Sequence, residues 1–460
     1  MLKFKDITLS DKSTIESYTH YAKHRNCDLS FANIFCWQPV FESAYAIVDG
    51  FLVIRFRIGG SGEIGYMQPI GCEEAGSFSH LIPSLADDAN TLGQRLRLIG
   101  LPEGCASRLR GDYFSLYSSR DDEDYIYLRE DLVTLRGKRY QPKRNHINQS
   151  QKQHSLEYVE LNTALFDECL AMDARWRREN GEHNNIGEEQ AIKRAFAHFE
   201  ELGLRGGALI EDGRVVAFTY GSAINSDTFC IHIEKAERSI IGAYTLINNL
   251  FAESLPQHYT YINREEDMGI EGLRRAKLSY HPHCLEAKYT ATYLNHDERE
   301  CKYLWREVFE DDDRFIDNFL HCYFTHDGFI SQYSSNKLVS MLHIVDMESE
   351  AGRVAYIYAV ATSKEVRGKG HASKLIREAI EKITNDGYNY AILIPSSEEL
   401  FDFYAQFGFK RGECVSFSTP DSFDFGGDDP SQNIIMYLPI SPSVDNTTHP
   451  SITQLIYRKR

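Results

Sequence analysis

The spacing of apolar residues changes its period within residues 353–386. Residues 353–361 are rich in β-branched and aromatic side chains, a composition that predicts a strand. After a turn with two glycines, apolar residues recur at the i, i+3, i+4, i+7 spacing of an amphipathic helix. They are Ala372, Leu375, Ile376, Ala379, Ile380 and Ile383. The pattern therefore predicts a strand, a glycine-rich turn and a helix N-terminus in direct succession.

A second strand and a second helix follow in this segment. Gly387 stands where a C-terminal cap of the first helix is expected, and residues 388–394 predict a buried strand that ends before Pro395. Ser397 with two glutamates then indicates another helix start. The apolar face of that helix carries Leu400, Tyr404 and Phe407, and Gly408 is its expected cap.

Short strands and helices also alternate through the first two-thirds of the chain. Residues 43–48 and 51–56 flank an Asp-Gly pair, as do residues 207–211 and 214–220. Such a pair between apolar runs predicts a β-hairpin. With helices predicted at 161–178 and 243–255, the chain falls in the α/β class with mixed (α+β) sheets.

Length and charge narrow the picture further. A chain of 460 residues is expected to form about three domains of ~150 residues. We place them at residues 1–140, 141–295 and 296–440, with a mobile tail at 441–460. The net charge of −17 argues against DNA binding through the overall field.

Cysteine spacing and hydropathy indicate the cellular setting. The ten cysteines include no Cys-x-x-Cys pair, which argues against a zinc site and against a disulfide framework. No run approaches the ~18 apolar residues of a membrane span, and the N-terminus lacks a signal-peptide core. We therefore expect a cytoplasmic protein with no metal and no transmembrane segment.

The turn between the first strand and helix carries candidate chemistry. The free N–H groups and positive dipole of a helix N-terminus attract an anion such as a pyrophosphate. Gly368 and Gly370 would let the backbone approach it closely. The spacing of Arg367, Gly370 and Ala372 resembles the coenzyme A loop of Gcn5-related N-acetyltransferases (GNAT). The Phe-Tyr-x-x-x-Gly-Phe sequence at 403–409 is similar to the second signature of that family.

The resemblance implies transfer of an acyl group from acetyl-CoA, as co-substrate, to an amine. It implies that the pyrophosphate is held by Arg367, Gly368, Lys369, Gly370, His371 and Ala372. It also implies that the backbone of Tyr358, Ala359 and Val360 pairs with the pantetheine arm. His371 is expected to contribute its backbone N–H, with its ring at the surface.

Tyr404 is the candidate general acid. An ordinary tyrosine has a pKa near ~10, so it is protonated at neutral pH and can donate to a leaving thiolate. The alternative is a core aromatic on the buried helix face. No general base is assigned: Glu348, Glu350 and His343 lie near the first strand, and a chain of waters is the other route.

Residues 1–295 carry a second resemblance, in residues 125–132, 137–147 and 272–280. They resemble the family of the C-terminal domain of phosphatidylglycerol lysyltransferase. This implies two GNAT-like modules that pack as a tandem unit, with an aminoacyl-tRNA as donor, and therefore three GNAT-like modules in the chain. In the second module, residues 237–243 have one glycine where the coenzyme A loop has two, so we expect no coenzyme A there.

The sequence contains a basic stretch and an acidic stretch, and each allows two interpretations. The basic stretch is either a solvated linker into a helix or a site for a phosphate-bearing donor or anionic headgroup. Its members are Arg136, Lys138, Arg139, Lys143 and Arg144. The acidic stretch is either a solvated loop or a rim that attracts a cationic amine. Its members are Asp421, Asp424, Asp428 and Asp429.

Three hypotheses follow for function. The first is an acetyl-CoA-dependent N-acyltransferase, with its site in the C-terminal third and a small-molecule or peptide amine as acceptor. The second is an aminoacyl-tRNA-dependent transferase in residues 1–295. The third is a non-catalytic scaffold in residues 1–295 that presents a substrate to the C-terminal domain.

Overall fold

The structure, a computed structural model, describes residues 2–20, 25–59, 61–71, 77–181, 186–420, 423–426, 433–441 and 452–457. It divides into two compact units. The first comprises Met1–Arg108 and Ser118–Ala291, and the second comprises Leu109–Tyr117 and Thr292–Arg460.

The elements of residues 1–135 are, in chain order, β1 (Lys5–Asp6), α1 (Lys12–Thr19), α2 (Phe31–Cys36), α3 (Gln38–Phe41), β2 (Ala44–Val48), β3 (Phe51–Arg57), β4 (Ile64–Met67), β5 (Ile70–Gly71), α4 (Ile82–Thr91), β6 (Arg97–Leu101), α5 (Glu103–Leu109), β7 (Phe114–Ser118), β8 (Asp124–Leu128) and α6 (Arg129–Thr134). Those of residues 136–295 are α7 (Gln141–Gln153), β9 (Glu157–Glu160), α8 (Phe166–Asn180), α9 (Ile186–Ala197), β10 (Arg205–Glu211), β11 (Arg214–Ala223), β12 (Thr228–Ala236), α10 (Ala243–Ser254), β13 (Tyr261–Asn263), α11 (Glu271–Leu278), β14 (Cys284–Glu286) and β15 (Tyr289–Tyr293). Those of the remaining residues are α12 (His296–Phe309), α13 (Asp313–Cys322), β16 (Phe329–Ser334), β17 (Lys337–Ser349), β18 (Gly352–Thr362), α14 (His371–Asn385), β19 (Tyr390–Leu393), α15 (Glu398–Ala405), β20 (Lys410–Cys414), β21 (Ser416–Ser418), β22 (Ile434–Pro439) and β23 (Gln454–Tyr457).

These strands form mixed sheets, which confirms the predicted fold class. The first unit holds the order β1-β2-β3-β4-β6 and, separately, the order β14-β8-β13-β12-β11-β10-β9. The second unit holds the order β20-β22-β19-β18-β17-β23-β21, with β16 paired to β17. Parallel pairs, such as β12 with β13 and β18 with β19, lie among antiparallel ones.

Both predicted hairpins are present. Asp49 and Gly50 have φ of 48° and 81°, and Asp212 and Gly213 have φ of 50° and 77°. Two successive left-handed residues match the right-handed twist of the flanking strands. The Asp-Gly pairs therefore set the β2–β3 and β10–β11 pairings.

Two elements depart from the predicted layout because their partners are distant in sequence. β8 precedes residue 140, yet it pairs with β13 and β14 in the second sheet. β23 pairs with β17 and β21, and its Leu455 is buried. Gln454–Tyr457 of the predicted tail thus form a strand, whereas residues 442–451 and 458–460 lie outside the described part of the chain, so the mobility of the tail stays a prediction.

Candidate active site

β18 has an open edge where it leaves its parallel neighbour. Pairing with β19 runs only from Val354–Tyr390 to Tyr356–Ile392. Antiparallel pairing with β17 continues on the other side as far as Thr362. Along the described residues, no strand covers the β19 side of β18 beyond Tyr356. Peptide groups on such an edge are available to hydrogen-bond a ligand.

A β-bulge interrupts this same stretch. His343 lies opposite Tyr358 and Met341 opposite Ala361, so β18 contains one residue more than β17 across this interval. Ala359 has φ of 50°, in the left-handed region that non-glycine residues rarely adopt. Bulges and strained backbone are concentrated near functional sites, where they redirect peptide groups. The predicted pantetheine contacts, Tyr358 to Val360, are thus the irregular part of the open edge.

The glycine-rich turn leads directly into α14. Gly368 and Gly370 have φ of 78° and 83°, and Gly370 is the N-cap of a helix that begins at His371. A Cβ placed on either glycine would meet no heavy atom within 4 Å. Arg367 and Lys369 are exposed beside them. The first N–H groups of α14 therefore face open space flanked by two cations, which fits a pyrophosphate.

Hydrogen bonds to neighbouring elements hold the glycine-rich turn in place. Glu307 of α12 accepts hydrogen bonds from the Lys364 amide at 2.8 Å and from the Ser363 hydroxyl at 2.9 Å. The hydrogen bond from the Lys364 amide holds the pKa of Glu307 below its ordinary value. The His371 ring is half-buried, with Nδ1 2.7 Å from Gln332 Oε1. It is thus less exposed than the sequence predicted.

Tyr404 lies on α15 and is 6% exposed. It belongs to the apolar cluster that contains Ile357 of β18 and Leu375 of α14, against which Val360 also packs. Burial raises the pKa of Tyr404 to about 12. Among the described residues, its hydroxyl has no hydrogen-bond partner. A protonated donor without a protein partner therefore lies in the cluster that joins α14 to the open edge.

The three candidate bases do not reach this region in usable form. His343 is buried among aromatic rings, and burial lowers its pKa to about 3, so it is neutral and enclosed. Glu348 pairs with Arg353 at the far end of β18, and Glu350 lies in the turn beyond it. Six residue-to-residue steps along the strand lead from Arg353 to Ala359, a distance of about 20 Å.

The acidic stretch is only partly described. Asp421, Asp428 and Asp429 lie outside the described residues. Asp424 Oδ1 accepts a hydrogen bond from the Gly426 amide at 2.9 Å. Its two interpretations therefore stay open.

The corresponding loop of the second module has a different environment. Gly242, with φ of 90°, is the N-cap of α10. A Cβ there would lie 2.3 Å from the carbonyl oxygen of His146 and 3.1 Å from Ser150, both in α7. Glu237 is buried and bonded to Arg175 at 3.2 Å and Arg214 at 3.0 Å. The start of α10 is covered by α7, and the expectation that no coenzyme A binds there stays a prediction.

The members of the basic stretch differ in whether they contact other groups of the protein. Arg139 pairs with Asp131 at 3.1 Å, and Arg144 donates to the carbonyl of Gly137 at 2.9 Å. Lys143 lies 3.6 Å from the centre of the Tyr280 ring, and burial lowers its pKa to about 8. Arg136 and Lys138 are exposed, and among the described residues neither has an ion-pair partner. These two are therefore the members of the stretch most available to contact a phosphate.

Sequence reasoning missed a polar cluster in the first unit. Lys288 Nζ lies 3.0 Å from Asp124 Oδ1, 3.0 Å from Glu266 Oε2 and 3.6 Å from Asp28 Oδ2. Burial raises the pKa of Asp124, and the Lys288 ammonium lowers that of Glu266 against the effect of burial. The local signal was the run of acids at 265–267, just after the strand β13.

No helix in the described part of the chain is both long and apolar enough to cross a membrane.

Comparisons with known proteins follow the same division of the chain. Residues 19–292 match the family described as phosphatidylglycerol lysyltransferase, C-terminal. Residues 292–412 match the acetyltransferase (GNAT) domain.

Individual relatives match parts of the chain. A crystal structure of a conserved protein of unknown function from Bacteroides thetaiotaomicron is 41% identical, with a TM-score of 0.61, and the match covers 64% of this chain and 100% of that one. The structure of L-PGS from Bacillus licheniformis is 14% identical, with a TM-score of 0.46, over 63% of this chain and 93% of that one. An uncharacterized protein of Mycoplasmoides gallisepticum is 26% identical over 172 residues, 36% of this chain and 54% of the relative. The chain thus spans about half the length of that curated relative.

Proposed function

Because the chain belongs to the phosphatidylglycerol lysyltransferase C-terminal family and also carries a GNAT acetyltransferase domain, we propose that it is an acetyl-CoA-dependent N-acyltransferase. Acyltransferase-type modules occupy both parts of the chain. In this proposal the second unit binds acetyl-CoA and transfers the acetyl group to an amine of a small molecule or peptide.

One observation carries the proposal: the open, bulged edge of β18 leads into a helix whose glycine-capped start faces open space. The edge offers peptide groups at Tyr358 to Val360 for an extended arm. The turn offers N–H groups and the exposed Arg367 and Lys369 for a pyrophosphate. Both features belong to one continuous segment, so one elongated donor can occupy them together.

Different residues of the second unit would then bind the donor and supply the proton. When bound, the coenzyme thioester supplies an acyl group activated for attack by an amine nitrogen. The β18 edge and the α14 start orient the donor and hold its charge. Tyr404 donates its hydroxyl proton to the sulfur as that sulfur leaves. Its pKa of about 12 keeps that proton in place at neutral pH.

Calorimetry of the full chain with acetyl-CoA tests the proposal. We expect one site per chain, because of the two described α-helices that begin after a left-handed glycine cap, α10 and α14, only α14 has open space around that glycine. Mass spectrometry of an amine and peptide panel incubated with acetyl-CoA should then reveal products heavier by one acetyl group. Two equivalent sites, or no binding, would contradict the assignment.

Aminoacyl-tRNA-dependent transfer in residues 1–295 is the second candidate. The match of residues 19–292 to the lysyltransferase family favours it, as do the exposed Arg136 and Lys138. The scaffold hypothesis is its alternative. Filter binding of charged tRNA to the full chain across a salt series distinguishes them, since phosphate contacts weaken as salt rises. No binding at low salt would leave the scaffold.

A further inference from the structure

Three potential metal ligands converge in the first unit, beside the Lys288 cluster. They are Cys230 and His232 of β12 and Glu265, which follows β13. His232 Nδ1 lies 3.0 Å from Glu265 Oε1, and Cys230 Sγ lies 3.7 Å from the same oxygen. The three ligand atoms all lie within 4.8 Å of one another.

We propose that Cys230, His232 and Glu265 bind one divalent transition-metal ion of the zinc type. Thiolate, imidazole and carboxylate are the ligands zinc takes in proteins. Bonds of about 2.3 Å to sulfur and about 2.0–2.1 Å to nitrogen or oxygen place tetrahedral ligands about 3.3–3.7 Å apart. The two spacings to Glu265 Oε1, 3.0 and 3.7 Å, are close to these values.

A β-bulge brings His232 to this position. Gly221 lies opposite Ile231 and Tyr220 opposite Ile233, which leaves His232 as the extra residue of β12. Bulges redirect a side chain relative to regular alternation. A Cβ on Gly221 would lie 1.8 Å from the carbonyl oxygen of Cys230. Glycine is therefore required for the two strands to approach this closely beside the site.

Surrounding groups fix the orientation of the imidazole. His232 Nε2 lies 2.8 Å from Ser222 Oγ and 3.3 Å from Ser30 Oγ. Both serines are buried. A histidine that binds a metal through one ring nitrogen commonly hydrogen-bonds through the other. Here Nε2 is bonded to serine hydroxyls, and Nδ1 faces the carboxylate and the thiol.

Hydrogen bonds also fix the position of Glu265, as they do that of the His232 imidazole. Its φ of 57° is left-handed, and its side chain is 25% exposed. The Lys277 ammonium donates to the carbonyls of Glu265 at 3.1 Å and Glu266 at 2.6 Å. Asn33 Nδ2 donates to Glu265 Oε1 at 3.2 Å. The carboxylate is therefore presented from a fixed loop, and part of its side chain stays accessible to solvent.

The neighbouring group of Cys27, Asp124 and Glu266 has similar spacing but already contains a cation. The Lys288 ammonium lies 3.0 Å from an oxygen of each carboxylate and 3.8 Å from Cys27 Sγ. A metal there would have to displace a buried ammonium. Among the described residues, no lysine or arginine forms an ion pair with Glu265. The Cys230 group therefore accepts a metal more readily.

The test uses the full chain stripped with a chelator and dialysed against Zn²⁺ or Co²⁺ alone. We expect one equivalent of zinc by mass spectrometric metal analysis. The Co²⁺ form should show a near-ultraviolet thiolate-to-cobalt absorption band. Less than a tenth of an equivalent at micromolar free zinc would overturn the proposal and leave a His232–Glu265 hydrogen bond.

Variants identify the ligands. Cys230→Ser should remove the thiolate band, and Ser222→Ala should weaken zinc binding about 10–100-fold through the imidazole. Cys36→Ser and Cys27→Ser should change neither property. Loss of the band in Cys27→Ser, with the band kept in Cys230→Ser, would overturn the assignment.

A further variant covers the case in which Cys230→Ser does not fold. Glu265→Gln conserves size at a half-buried position and should weaken zinc binding at least tenfold, with circular dichroism unchanged. Unaltered zinc affinity in a folded Glu265→Gln variant would exclude Glu265 as a ligand and contradict the three-residue site.

Discussion

Two helices of this protein, one in each unit, begin after a left-handed glycine, yet their surroundings differ. Gly370 caps α14 with φ of 83°, and Gly242 caps α10 with φ of 90°. A Cβ on Gly370 would meet nothing within 4 Å, whereas one on Gly242 would lie 2.3 Å from the carbonyl of His146. A similar local backbone therefore leaves one helix start open and makes a packing contact at the other.

The charged residues beside the two helix starts also differ. Arg367 and Lys369 beside Gly370 are exposed and can meet a diphosphate. Before Gly242 stands Glu237, whose carboxylate is already bonded to Arg175 and Arg214. The positive end of a helix dipole favours an anion at both places. At α10 that end is closed by α7, so a helix start binds a ligand only where no other element covers it.

Replacing the glycine at the open helix start should have the largest effect. Gly370→Asp places a carboxylate at the proposed pyrophosphate position and should abolish acetyl-CoA binding by calorimetry. Gly387→Asp is the matched control, because Gly387 is also left-handed, with nothing within 4 Å of its Cβ, at the other end of α14. If Gly370→Asp and the control bind acetyl-CoA with equal affinity, the open start of α14 is not the pyrophosphate site and does not differ in function from the covered start of α10.

Loss of the proposed proton donor ranks next. Tyr404→Phe should lower kcat by ~10²–10⁴-fold and leave acetyl-CoA affinity nearly unchanged. Since the hydroxyl loses its proton only above its pKa of about 12, kcat of the wild type should show no decline from this group near pH 10. A fully active variant would assign Tyr404 to core packing.

A pair of alanine substitutions compares the loss in free energy of unfolding at the covered start of α10 with that at the open start of α14. Gly242→Ala combines backbone strain with overlap against α7 and should destabilise the first unit by about 2–4 kcal/mol. Gly370→Ala meets only the backbone strain and should cost about 1 kcal/mol. Urea unfolding of the full-length variants gives both values. Equal losses would show that α7 does not press on Gly242.

The smallest expected effect concerns tRNA. Arg136→Ala with Lys138→Ala should reduce the slope of log affinity against log salt by about two units, one for each phosphate that is no longer neutralised. Arg178→Ala with Lys193→Ala removes the same charge from α8 and α9 and should leave the slope unchanged. An unchanged slope in the first pair would exclude the exposed basic residues as phosphate contacts.

Local pattern was enough to predict most elements around the candidate site. The apolar period and the glycines predicted α14, α15 and β19 with bounds that differ by a few residues. The Asp-Gly pairs predicted both hairpins. Such predictions succeed because propensity, turn geometry and capping depend on residues close in sequence. The assignments of Tyr404 and of the coenzyme A loop to their roles stay predictions.

Features that depend on distant partners were decided by the tertiary structure. The α7 contact with Gly242 and the placement of β8 and β23 require strands or helices far apart in the chain. The same holds for Cys230, His232 and Glu265, whose spacing in sequence does not resemble a zinc motif. The bulge at Ala359 depends on the register in which β18 pairs with β17. Sequence alone predicted the helices α8, α10, α14 and α15 and the glycine at the start of α14. Whether a helix start or a cysteine is free to bind a ligand was set by the long-range packing that covers it or leaves it open.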